Sequence, residues 1–137
     1  MIVCDTGPLV AVLNKNDAHH RRCLDLLETH RGPLLVPSPV LAGVSYFLET
    51  RVGPDAEAAF LESIANQEIE LVELTRADLL RMAELVRKYA DFPLGAVDAA
   101  VLAVAERLEI NEVATIDLRH FSAVRTRHPA PLRLLPG

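Results

Sequence analysis

Met1-Ile2-Val3-Cys4-Asp5-Thr6-Gly7-Pro8 carries an apolar run into a carboxylate and turns at once into helix-starting residues. A run of Ile, Val and Cys has no polar face, so it fits a parallel strand covered on both sides. Thr6 is placed to cap the helix that follows, to about Asn14, with Pro8 in its first turn. The same strand-then-helix unit recurs. Leu34-Leu35-Val36 precedes a helix that Ser38-Pro39 starts and that reaches about Arg51. The stretch from Ile69 to Leu74 precedes one that Thr75 and Asp78 open as a capping box, reaching about Tyr89. Val113 to Ile116 is a fourth strand, ending in Asp117, and Leu132 to Leu135 is a possible fifth, crowded by Pro129, Pro131 and Pro136. Further helices are expected from Ala18 to Arg31 behind an Asp17 cap, from Gly53-Pro54 to Asn66, and from Gly95 to Leu108. Short apolar strands alternating with helices make an α/β fold with a parallel sheet covered on both faces.

At 137 residues the chain (1–137) fits a single domain with a core large enough to fold without staples. Cys4 and Cys23 have no framework or metal spacing and read as reduced core thiols, which implies a cytoplasmic location. No segment is apolar for long enough to span a membrane, and the start lacks a signal-peptide pattern. The net charge of −5 argues against simple coating of nucleic acid. Its distribution is uneven: every acid falls at or before Asp117, and residues 118–137 hold Arg119, Arg125, Arg127, Arg133, His120 and His128. Such a tail can engage phosphates or can simply be solvated.

Three carboxylates stand where carboxylates are costly. Asp5 and Asp117 each follow a buried strand, and ligands of open α/β sheets bind beyond that edge, where strand order reverses. Asp98 is the only charged side chain between Asp91 and Glu106, set among Val97, Val101, Val104, Ala105 and Leu108 at helical spacing. Burying it costs several kcal/mol or forces protonation, against roughly 0.3–1 kcal/mol returned by a helix N-terminus. Either free N–H groups at the helix start or a cation must compensate it. Converging aspartates repel, and a hard divalent ion such as Mg²⁺ removes the conflict. Such an ion lowers the pKa of a bound water and neutralises charge on phosphorus oxygens, so metal-assisted phosphodiester hydrolysis suits the set best. Zinc is disfavoured because the histidines (His19, His20, His30, His120, His128) lack ligand spacing. A phosphoryl receiver would need an aspartate after the third strand, where Leu74-Thr75 stands, and a late lysine. A haloacid-dehalogenase-like phosphatase would need an acid where Gly7 is.

These residues resemble the PIN-domain family, and more narrowly the VapC-type toxins of toxin–antitoxin pairs. The resemblance is carried by Ile2-Val3-Cys4-Asp5-Thr6, by Tyr89-Ala90-Asp91-Phe92-Pro93-Leu94-Gly95-Ala96-Val97-Asp98-Ala99 and by Thr115-Ile116-Asp117-Leu118-Arg119-His120-Phe121. It implies a three-layer αβα sandwich and Mg²⁺- or Mn²⁺-dependent endoribonuclease activity. It also implies inhibition by a cognate antitoxin lying across the acidic groove, and a homodimer. Asp5, Asp98 and Asp117 become the expected metal-binding and catalytic residues. Thr6 could instead hydrogen-bond Asp5, and Asp91 is expected to be structural. Arg51 and the basic tail can guide an RNA backbone. One departure stands out. Where the family usually carries its second acid, this chain has Gly43, a helix-interior glycine that costs ~1 kcal/mol and offers no ligand. Three explanations are open: three aspartates suffice, Glu49 or Asp91 substitutes, or the protein is a weakened form. A module that binds antitoxin or RNA without cleaving is the alternative.

Overall fold

The computed structural model describes residues 1–127 and 130–137; His128 and Pro129 of the expected basic tail lie outside them. Five parallel strands form one sheet: β1 (Ile2–Cys4), β2 (Leu34–Pro37), β3 (Glu70–Val72), β4 (Glu112–Ala114) and β5 (Arg133–Leu135), in the order β3-β2-β1-β4-β5. The order reverses between β1 and β4, whose register pairs Val3 with Val113 and Cys4 with Ala114. Their two loops therefore share one crevice, as the sequence implied. β5 forms parallel to β4 despite its prolines, because Pro131 and Pro136 flank the strand and leave its ladder bonds intact.

Helices α1 (Thr6–Leu13), α2 (His20–Thr29), α3 (Ser38–Arg51), α4 (Pro54–Ala65), α5 (Arg76–Lys88), α6 (Ala96–Arg107) and α7 (Leu118–Ala123) fill the connections. Ile2, Val3 and Cys4 are all fully buried. Since successive strand side chains point to opposite faces, helices cover both, giving the αβα sandwich. Cys4 and Cys23 are free and buried, and burial pushes the Cys4 thiol up to about 12. No helix of the described residues is long and apolar enough to cross a membrane.

α6 is buried on every side from Ala99 to Ala105, and its alanines let it lie close on β1 and β2. Only its first turn reaches the crevice, and there stands Asp98. α5 packs along α6 and is fixed by its ends. Thr75 Oγ1 accepts the Asp78 N–H at 3.1 Å while Asp78 Oδ2 accepts the Thr75 N–H at 2.9 Å, the expected capping box. Arg107 of α6 donates to both oxygens of the same buried carboxylate at 3.0 Å. Burial pushes Asp78 up, but the Thr75 N–H and Arg107 outweigh it and hold the group below the ordinary carboxylate value.

Three boundaries differ from expectation. α2 begins at His20 with His19 at its N-cap position, so Asp17 is not the cap and instead accepts the His19 N–H at 2.8 Å. Thr6 is the first residue of α1 and not its cap; Asp5 occupies the N-cap position in extended backbone. β4 stops at Ala114, so Asp117 lies three residues beyond the strand and starts α7, a helix too short to show periodicity.

Candidate metal centre

Asp5 ends β1 and is 6% exposed. Its N–H donates to the Ala114 carbonyl at 2.9 Å, and its Oδ2 accepts the Thr115 hydroxyl at 2.9 Å. Burial raises its carboxyl; the Thr6 N–H and the Thr115 hydroxyl offset part of that, and Asp117 adds to it. Thr115 is itself buried, and its hydroxyl also accepts the Asp117 N–H at 3.0 Å. One side chain thus couples the first acid to the loop carrying the last, a role with no signature in the local sequence. Gly7 makes the approach possible. A Cβ there would stand 2.6 Å from Ile116 Cγ1, so any larger residue would force the Ile116 side chain beside Asp117 to move.

Asp117 caps α7, accepting the His120 N–H at 3.2 Å through Oδ1, and its Oδ2 meets His120 Nδ1 at 2.5 Å. That hydrogen bond, ahead of the charges of Asp117 and Asp98, pushes the His120 imidazolium up. Ligand atoms of Asp98, Asp117 and His120 lie within 4.8 Å of one another. His120 therefore belongs to the cluster, contrary to the expectation that no histidine stands at ligand spacing. The available signal was its place three residues after Asp117, one turn along α7.

Asp98 is half-buried and accepts no side-chain hydrogen bond among the described residues; the free N–H groups of α6 leave it uncapped. Burial first, then the charges of Asp5 and Asp117, push it up to about 6, with His120 pulling the other way. The three expected carboxylates do sense one another. Asp98 and Asp117 stand at ligand distance, while Asp5 lies beside them, more deeply buried and outside the set that closes to within 4.8 Å. The donors are oxygens and one imidazole, a set fitted to a divalent cation, and among the described residues only the charge of His120 works against the rise of Asp98.

Gly43 lies on α3 where that helix crosses α1. A Cβ would sit 3.1 Å from Thr6 Oγ1, which supplies a packing reason for glycine that the sequence alone lacks and aims the position at the residue after Asp5. Glu49 is exposed, and Asp91 is exposed with no side-chain hydrogen bond among the described residues, so Asp91 holds nothing in place. The expected basic tail is partly spent. Arg127 pairs with Glu84 at 2.7 Å and Arg133 with Glu112 at 3.5 Å, leaving Arg119 and Arg125 without an ion pair among the described residues. The cleft containing Asp5 and Asp117 encloses about 330 Å³. A larger cavity, between α7 and β5, is lined by Phe121, Val124, Leu132 and Leu134 and by no acid.

The family described as PIN domain matches residues 2–126. Ribonuclease VapC26 of Mycobacterium tuberculosis is 34% identical over 124 residues, covering 90% of this chain and 92% of that protein. Among solved structures, the sarcin-ricin loop cleaving toxin VapC20 of the same organism is similar with a TM-score of 0.78 at 21% identity, over 82% of this chain and 87% of that one. A toxin–antitoxin complex from Klebsiella pneumoniae is similar with a TM-score of 0.71 at 16% identity, over 96% of this chain and 100% of the other. A parallel sheet with acids gathered at its point of reversal, matched along nearly all its length, places this chain in the PIN-domain family, among the VapC proteins.

Proposed function

We propose that this chain is a divalent-metal-dependent endoribonuclease and the toxin of a toxin–antitoxin pair, with residues 1–137 working as one domain in the cytoplasm. Asp5, Asp98 and Asp117 are the metal and catalytic residues, and Mg²⁺ or Mn²⁺ is the ion. The observation that carries this reading is Asp98: a half-buried carboxyl beside two other acids, pushed up to about 6, with no side-chain hydrogen bond among the described residues. Asp98 and Asp117, with Asp5 beside them, would hold a cation that would supply water activation and neutralisation of charge on the phosphate oxygens. The protein's own part is to hold the carboxylates. Thr115 fixes Asp5, and His120 fixes Asp117. The name of the VapC26 relative supports a ribonuclease, and the toxin–antitoxin complex among similar structures supports an antitoxin partner. A homodimer is the expected free form.

Gly43 favours a second reading, in which the module binds antitoxin or RNA and cleaves poorly. Purified protein, incubated with RNA in Mg²⁺ or Mn²⁺, should cleave it, and Asp98→Asn should not. Equal cleavage by both proteins would overturn the assignment of Asp98 and point to a contaminating nuclease.

A further inference from the structure

Asp5, Thr6, Asp17, Phe47, Arg51 and Asp117 line one cleft. Its charges are three carboxylates and a single cation. The Asp17 carboxylate is engaged by the His19 N–H at 2.8 Å. Arg51, in contrast, makes no ion pair among the described residues, although carboxylates line the same cleft. What it does touch is aromatic: its Cζ lies 4.7 Å from the centroid of the Phe47 ring, one turn earlier on α3. Phe47 packs against the core, and Tyr46 meets it edge-on at 6.1 Å. A guanidinium held over a ring makes no hydrogen bond to it, and Arg51 makes no side-chain hydrogen bond among the described residues, so its planar fork of N–H donors is free to match a phosphate.

We propose that Arg51, held on Phe47, binds the RNA backbone phosphate next to the one that is cleaved, and so positions the substrate in the acidic cleft. This rests on the nuclease reading above and assigns a residue to its substrate contact. A phosphodiester entering a cleft of carboxylates is repelled, and Arg51 is the cation that the described lining residues offer against that repulsion. Two arginines of the basic tail cannot take this part freely, since Arg127 and Arg133 are paired with acids. The competing role for Arg51 is purely structural: covering Phe47 and completing the last turn of α3.

The test compares Arg51→Met and Arg51→Lys with the parent and with Arg31→Met, an exposed arginine preceding β2 at the opposite edge of the sheet. Cleavage of a single-stranded RNA oligonucleotide in Mn²⁺ is measured alongside its binding in EDTA by fluorescence anisotropy. Arg51→Met should lower kcat/KM roughly three- to tenfold, mostly through KM, and should flatten the slope of log affinity against log salt by about 0.7. Arg51→Lys should recover part of both, and Arg31→Met should match the parent. If the parent cleaves and Arg51→Met equals it in KM and salt slope, the proposal is overturned and the nuclease stands. Should the parent bind RNA without cleaving, the nuclease reading fails and the binding slope alone decides on Arg51. A parent that neither binds nor cleaves overturns both.

Discussion

Replacing Asp98 by Asn, a neutral isostere, should stabilise the metal-free protein at neutral pH while removing its response to divalent cations. The carboxyl stands in the first turn of α6 without a hydrogen-bond donor among the described residues, pushed up to about 6 by burial and by Asp5 and Asp117. Because this value lies above the ordinary 3.8, the folded state holds the proton more tightly than the unfolded chain. Stability is then greatest below about pH 4 and falls as pH rises towards 6. A rise from 3.8 to about 6 is worth at most roughly 3 kcal/mol, and solvent around a half-exposed group cuts that to about 1–1.5 kcal/mol. Asn also gives up the attraction between a carboxylate and the helix N-terminus, about 0.3–1 kcal/mol. The net expectation in EDTA at neutral pH is a gain of up to about 1 kcal/mol, or up to roughly 4 °C in Tm for a chain of this size, vanishing near pH 4. Urea unfolding followed by circular dichroism at both pH values measures it. Adding Mn²⁺ at about a hundred times its Kd should raise the parent by roughly 2.7 kcal/mol and the variant by far less, inverting their order. An Asn variant less stable than the parent in EDTA at neutral pH would refute the reasoning, for it would mean that the start of α6 satisfies the carboxylate without a cation.

Thr115→Val removes the hydroxyl that donates to Asp5 and accepts from Asp117. It should cost about 2 kcal/mol at neutral pH, push Asp5 further up and weaken RNA cleavage; an unchanged denaturation midpoint and rate would show that the bridge is idle. Gly43→Glu should raise Mg²⁺-dependent RNA cleavage, with Thr6 shifting by a few tenths of an ångström and the better helix propensity offsetting about 1 kcal/mol of the strain. No gain over the parent would remove Gly43 from consideration as the missing ligand. Arg107→Ala strips the buried Asp78 of its cation and should cost about 2 kcal/mol at neutral pH. Asp78 is held below the ordinary carboxylate value, so its contribution is present above about pH 4 and is lost as pH falls below that; the gap between parent and variant should narrow there.

The order of elements other than α7 was legible because short runs rich in Ile, Val and Leu alternate with longer helical stretches, and the Thr75–Asp78 box was readable to the atom. Asp5 was placed correctly at the end of β1 for the same reason. The end of β4 was not. Thr115 and Ile116 are β-branched and prolong the strand pattern, whereas the chain turns where the Thr115 hydroxyl takes the Asp117 N–H. Asp98 was conspicuous as a lone charge in an apolar helix. What escaped the sequence is what arises between distant segments: Thr115 reaching a residue 110 positions away, α3 crossing α1 closely at Gly43, and Ile116 filling the space that Gly7 leaves. His120 escaped through counting histidines against one another and not against Asp117, its neighbour on α7.

The Thr115 N–H also donates to the Leu135 carbonyl at 2.9 Å, so the residue joining Asp5 to the Asp117 loop is anchored from its outer side by β5. Ribosomes build chains from residue 1 upward, and residues 133–135 emerge after every other element of the sheet. Until they do, β4 has an open flank and the hydroxyl bridge lacks its anchor. A nascent chain of this protein therefore carries all its acids before it can hold them in register, and the centre is complete only once β5 has joined the sheet.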